Sequence, residues 1–194
     1  MSEYRRMIIF VLVLGVFTSA LLMGVQALTA ERIERAAEAH LQTTILDAHD
    51  VNYTAANFLE VFEAEIEIRE LEGLSFYVHT ESGGVSILFF GFGVWGPIEG
   101  VLSLEPDFET IRDVAVLDQE ETPGLGAVIT NPDYQALYVG KSMYPELNVI
   151  HDADPDDPNE VDAIAGATRT SEAFDTMLNN AYQEHREVWM AHHD

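Results

Sequence analysis

An α+β domain carried on one N-terminal membrane helix is the fold this sequence predicts, and three observations predict it. Residues 7–28, MIIFVLVLGVFTSALLMGVQAL, hold no charge over about the twenty residues a helix needs to cross a bilayer. Strand-like runs fill the first half of the remaining chain: EAEIEIREL alternates polar with apolar, and LSFYVHT and VSILFF are aromatic and β-branched. Near the end Phe174, Met177, Leu178, Ala181, Tyr182, Val188 and Trp189 recur at helical spacing and make one apolar stripe. Strands first with helices at both ends is an α+β pattern.

Arg5 and Arg6 precede the apolar stretch, while Glu31, Glu34 and Glu38 dilute Arg32 and Arg35 after it. The positive-inside tendency therefore keeps residues 1–30 as a cytoplasmic tip and transmembrane anchor, and sends the remainder across the cytoplasmic membrane to its periplasmic or extracellular side. A cleaved signal peptide competes, but its apolar region would be unusually long and Leu28-Thr29-Ala30 is a mediocre cleavage site. TAERIERAAEAHLQTTIL keeps alanine, leucine and isoleucine at helical spacing, so 31–48 reads as a helical stalk. Residues 49–194 then form one extracytoplasmic domain. Ser82-Gly83-Gly84 turns LSFYVHT into VSILFF as a hairpin. GFGVWGPIEGVLSL carries four glycines, a proline and Glu99, which argues for a glycine-rich loop entering a buried strand rather than a second membrane span. IRDVAVL is a strand, TPGLG a tight loop, NPDYQALYVGK a short helix starting at Asn131, LNVIH a strand and DADPDDPNEVD an acidic, proline-broken loop.

Composition narrows function. Nine basic against thirty-four acidic residues give a net charge of −25, which excludes nucleic acid as a partner held by charge attraction. There is no cysteine, hence no disulfide, thiolate catalysis or iron–sulfur ligation. The seven histidines stand in no H-E-x-x-H or comparable frame, and no G-x-S-x-G elbow, P-loop or dinucleotide fingerprint occurs. Read as an EF-hand from Asp152, the acidic loop lacks the sixth-position glycine and the twelfth-position glutamate, so calcium is set aside.

The most informative stretch is DAIAGATRTSEAF, 162–174, where small residues precede Thr168, Thr170 and Ser171 at the start of the last helix. Thr170 or Ser171 serves as its N-cap. Capping needs only one hydroxyl. Gly166 and Ala167 let another group approach the backbone, and the N–H groups of a helix start favour a phosphate, whose charge Arg169 offsets. Physics gives a phosphate-shaped site here without naming its ligand.

DAIAGAT is similar to the D-x-x-(S/T)-G-A-T flavinylation motif of the FMN-binding domain family, which includes the C subunit of the sodium-translocating NADH:quinone reductase (Nqr) and the G subunit of the Rnf electron-transport complex. GFGVWGPI and ETPGLG resemble two further family stretches in the expected order. The resemblance implies an antiparallel-rich sheet with flanking helices and a covalently held FMN, attached by a flavin transferase through a phosphoester to the hydroxyl of Thr168. It makes Asp162 a recognition or positioning residue. It places Glu121, Thr122, Gly124 and Leu125 beside the isoalloxazine, with Trp95 as a second wall or else a core or interface aromatic. Ala165 stands where the motif has serine or threonine, and His151 where relatives commonly carry lysine, which leaves Arg169 and Lys141 as the permanent cations nearby.

The implied role is a membrane-anchored electron carrier among the other membrane subunits of an Rnf-like or Nqr-like ion-translocating complex, with the two memberships level. A free-standing extracytoplasmic flavoreductase and a non-redox stalked binding module that has lost its flavin are the alternatives.

Overall fold

The computed structural model describes residues 3–193, except for the side chain of His193; Met1, Ser2 and Asp194, and with them the outermost tip of the expected anchor, lie outside the described residues. The chain divides into two compact units, Met1–His40 and Leu41–Asp194. The described residues of the first are part of helix α1 (Glu3–Ala48), which contains an 18-residue window of mean hydropathy 2.7, long and apolar enough to cross a membrane. Two hydroxyls inside it are satisfied within the helix: Thr18 Oγ1 donates to the Leu14 carbonyl and Thr29 Oγ1 to that of Val25, each at 2.9 Å. Neither then faces an apolar surrounding unpaired.

The second unit is built on a five-stranded antiparallel sheet in chain order: β1 (Ile66–Leu71), β2 (Leu74–His79), β3 (Val85–Phe92), β4 (Pro97–Leu104) and β5 (Ile111–Gln119). Strand alternation sends Val85, Ile87 and Phe89 to one face, where they meet Phe174, Met177 and Leu178 of helix α4 (Thr168–His193). The predicted apolar stripe is thus the buried side of α4. On the same face Phe108 stacks on Trp189 at 5.1 Å and 10°, a contact worth about 0.5–1.5 kcal/mol beyond the area it buries. The opposite face meets Ile45 and Leu46 from the last turns of α1 and Phe62 from helix α2 (Phe58–Glu65). On this side Ser86 and Ser103 share a 2.7 Å hydrogen bond, and His49 Nε2 joins them 3.0 Å from Ser86 Oγ. Burial, with His79 and Arg112 adding, lowers the pKa of His49 to about 4.

Four local expectations change. EAEIEIREL divides, its first residues closing α2 and β1 beginning at Ile66, because Phe58, Val61 and Phe62 at helical spacing pack into the second core. β1 and β2 form an additional hairpin through Glu72-Gly73, pairing Leu71 with Leu74. The end of the acidic loop becomes β7 (Glu160–Asp162), parallel to β6 (Asn148–Ile150), since one buried position, Val161, suffices to seat it beside Val149. The short helix does start after Asn131, whose side chain accepts from Asp133 N–H, but α3 spans only Pro132–Gln135.

A half-buried acid on α4 gives a pH-dependent prediction. Desolvation chiefly, with Glu146 adding, raises the pKa of Asp175 to about 6, while Val149 N–H and Asn179 Nδ2 hydrogen bonds hold it back. An acid whose folded value exceeds its unfolded one costs stability as pH rises between the two. Asp175→Asn keeps an acceptor for Asn179 and removes the charge. It is expected to raise unfolding stability by about 1–2 kcal/mol at pH 8, with the gain shrinking as pH falls from 6 towards 4 in chemical denaturation.

Candidate functional site

Three segments meet at one end of the sheet. The turn between β3 and β4, 93–96, closes with Gly93 N–H on the Gly96 carbonyl at 2.9 Å. The loop after β5 leads from Glu121 into a 3-10 helix, Gly126–Thr130. The third is the turn before α4. Between them lies a cleft of about 300 Å³ lined by Val94, Trp95, Glu121, Thr122, Leu125, Gly126 and 166–170.

Glu121 holds the three together. It is 5% exposed; Oε1 accepts from Val94 N–H at 2.7 Å and Trp95 N–H at 3.0 Å, and Oε2 accepts from Thr170 Oγ1 at 2.7 Å. A carboxylate satisfied by two backbone donors and a hydroxyl tolerates burial that a lone one does not. Gly126 is obligatory beside it, for a Cβ there would overlap Glu121 Oε2 and stand 2.7 Å from Thr170 Oγ1.

The hydroxyls of the α4 start take different parts. α4 begins at Thr168, so Thr170 and Ser171 sit inside the first turn and neither is the N-cap expected from sequence. Thr170 is buried and committed to Glu121. Ser171, also buried, accepts from Ile164 N–H at 2.9 Å and donates to the Ala167 carbonyl at 3.2 Å, tying the preceding turn to the helix. Thr168 alone of the three is exposed. Its Oγ1 lies 3.1 Å from His151 Nε2. Gly166 enters this turn at φ +80°, a conformation that disfavours other residues. The first helical bond of the segment runs from Ser171 N–H to the Ala167 carbonyl at 3.0 Å, and the N–H groups ahead of it form the electropositive end of the helix.

Of the ten residues singled out from sequence, Thr168, Gly166, Ala167, Arg169, Glu121, Thr122, Leu125 and Trp95 line this one cleft. Asp162 and Gly124 do not. The Asp162 carboxylate instead accepts from Ala153 N–H at 3.0 Å and shapes the acidic loop. Lys141 is likewise spent on that loop, with Nζ donating to the carbonyls of Pro155 at 2.9 Å and Asp157 at 2.6 Å. Val94 and Gly126 line the cleft without having been singled out, although they lie inside GFGVWGPI and ETPGLG, and Thr170, expected only as an N-cap, lines it as well. Trp95 is 70% and Leu125 45% exposed, which leaves the apolar side of the cleft open to solvent.

Comparisons with known proteins bear on the same stretch of the chain. Residues 93–183 match the family model described as the FMN-binding domain. The C subunit of the Na(+)-translocating NADH-quinone reductase of Pasteurella multocida is 33% identical over 128 residues, covering 62% of this chain and 48% of the relative. Its Pseudomonas aeruginosa counterpart is 34% identical over 128 residues, covering 60% and 49%. The chain thus spans about half the length of these relatives. Among solved structures, Shewanella oneidensis NqrC superposes with a TM-score of 0.65 at 23% identity, covering 73% of this chain and 90% of that one. The C subunit of the Parabacteroides distasonis Na(+)-translocating NADH-quinone reductase gives 0.63 at 23%, covering 79% and 92%. Those likenesses bear on the fold. Residues 93–183, the stretch that matches the FMN-binding domain model, supply every side of the cleft.

Proposed function

We propose that the cleft holds FMN covalently through Thr168, and that the chain carries electrons within an Nqr-like membrane complex. The observation that carries the reading is the division of labour among three neighbouring hydroxyls: Thr170 and Ser171 are buried and engaged, and only Thr168, which lines the cleft at the positive end of α4, is exposed. A flavin phosphate suits this position, where helix N–H groups and Arg169 offset its charge. His151 Nε2 is placed to take the hydroxyl proton as Thr168 Oγ1 bonds to the flavin phosphate and the phosphoanhydride bond of a flavin dinucleotide donor breaks, its nucleoside monophosphate leaving.

The apolar residues Val94, Trp95 and Leu125 suit a flat ring, and a cleft of about 300 Å³ is at the small end of the range for ligand sites. A ring seated there keeps an edge in solvent, as exchange of electrons with partner subunits requires. When bound, FMN supplies one- and two-electron redox chemistry; the chain supplies attachment, orientation and the local field. Glu121 acts here by positioning the turn and the helix start, since its oxygens are already occupied. The α1 span anchors the domain, residues 49–194, on the outer side of the membrane, and a flavin transferase loads it. The Pasteurella and Pseudomonas relatives are both components of Na(+)-translocating NADH-quinone reductases, which favours Nqr-like over Rnf-like membership.

Coexpression of the full chain with a flavin transferase, followed by denaturing electrophoresis and peptide mass spectrometry, tests this. The expected result is a fluorescent band and an FMN-sized mass increment on the peptide containing Thr168. A colourless protein with an unmodified peptide would refute it.

A further inference from the structure

At the turn that joins β2 to β3, three side chains with metal-binding chemistry converge. Glu65 is the last residue of α2, His79 the last of β2, and Glu81 lies in the turn after it. One donor atom from each lies within 4.8 Å of those of the other two. His79 is 6% exposed, and its Nε2 stands 3.8 Å from Glu65 Oε2, close enough to feel the carboxylate and too far for a hydrogen bond. Its Nδ1 is 2.7 Å from Ser82 Oγ and also receives the Ser82 N–H at 3.4 Å. The ring is fixed from its face as well, stacked on His49 at 5.1 Å and 24°. Backbone bonds set the ligand-bearing segments: Thr80 N–H donates to the Glu65 carbonyl at 2.9 Å and Gly83 N–H to that of His79 at 2.8 Å. One ring nitrogen tied by an outer partner, with the other presented to carboxylates, is the arrangement of a metal-ligating histidine.

We propose that Glu65, His79 and Glu81 bind a divalent transition-metal ion of the zinc type. With Nδ1 held by Ser82, Nε2 is the ring nitrogen that faces Glu65. A divalent cation meets both carboxylates and the nitrogen lone pair together. Zinc bonds of about 2.0–2.2 Å set tetrahedral donors roughly 3.4 Å apart, so the 3.8 Å between Glu65 and His79 closes by a few tenths of an ångström. Exposed Glu81 has the rotamer freedom to complete the set. Calcium is a poor fit, since it takes six to eight oxygens. Solvent fills the fourth position. None of these residues lines the flavin cleft, so the site stands whether or not Thr168 is flavinylated.

The test is titration of the full chain in detergent with Zn(II) by calorimetry and with Co(II) by visible absorption. A chain of net charge −25 collects cations loosely, so the expected signature is one tight equivalent above that background, with the intense bands of four-coordinate cobalt. His79→Gln is expected to remove the tight equivalent and its spectrum. Glu81→Gln should weaken binding at least about tenfold, and Ser82→Ala, through the outer partner, about tenfold. Unchanged binding in Glu81→Gln, an exposed position that folding does not depend on, overturns the proposal even if His79→Gln fails to fold. A weak multi-equivalent isotherm with only six-coordinate cobalt bands overturns it as well.

Discussion

Thr168→Val is expected to abolish covalent flavin completely while leaving the fold unchanged. Valine matches threonine in shape and β-branching, and the position is an exposed first residue of α4, so unfolding stability should move by no more than about 0.5 kcal/mol. What disappears is the one hydroxyl of the α4 start that is not already structural. Thr168→Ser should retain the adduct. Thr170→Ala and Ser171→Ala are expected to retain it too, at some cost in stability, because those hydroxyls are turned to Glu121 and to the Ile164 and Ala167 backbone. A flavin mass on Thr170 or Ser171 in the valine variant, or undiminished in-gel fluorescence, would sink the assignment. His151→Gln adds a finer measurement. If the imidazole takes the hydroxyl proton, attachment slows by roughly tenfold or more with the final occupancy still complete. A rate equal to that of the parent would assign that proton to a base of the transferase.

Much of this site is legible in the chain because its parts are contiguous. Gly166-Ala167-Thr168, Glu121 to Gly126 and Gly93 to Gly96 are short stretches whose small residues announce close packing before any coordinates exist. The functions within each stretch are less legible. Three hydroxyls in four positions look equivalent in sequence, and only the tertiary contact with Glu121, 49 positions away from Thr170, separates a buried pin from an exposed nucleophile. The same holds for Lys141, whose charge looks available until the acidic loop folds over it and presents two carbonyls. Among the elements, long periodic segments such as α4 are readable from spacing alone. β7 is not, because three residues with one buried side chain carry too little pattern, and their pairing depends on β6 arriving beside them. The hairpin between β1 and β2 is hidden differently, by the helical start of EAEIEIREL, which shares its alternating letters with a strand until Phe58 and Phe62 are seen to need the same core.

Glu121→Ala should be the most damaging single change to the cleft. It removes both carboxylate oxygens and strands Val94 N–H, Trp95 N–H and the Thr170 hydroxyl, in a position 5% exposed. Charge-assisted bonds of this kind contribute about 1.5–3 kcal/mol each but do not add fully, and part of the lost volume admits water. A net loss of about 3 kcal/mol results, equivalent to roughly 6–12 °C in Tm for a domain of this size. Glu121→Gln keeps one acceptor and should lose about half as much. Stability alone cannot distinguish a pin from any other buried acid, so the decisive measurement is coupling. In a double-mutant cycle with Thr170→Ala, the two changes should be non-additive by about 1 kcal/mol or more, since each removes the same bond. The functional consequence is separable from folding. With the β3–β4 turn released, Trp95 and Val94 no longer stand opposite Leu125, so flavin already esterified to Thr168 should stay attached while its fluorescence becomes more solvent-quenched and its reduction potential shifts towards that of FMN in water. An unchanged potential in a folded Glu121→Ala protein would mean that the turn held by this carboxylate is no part of the flavin's surroundings.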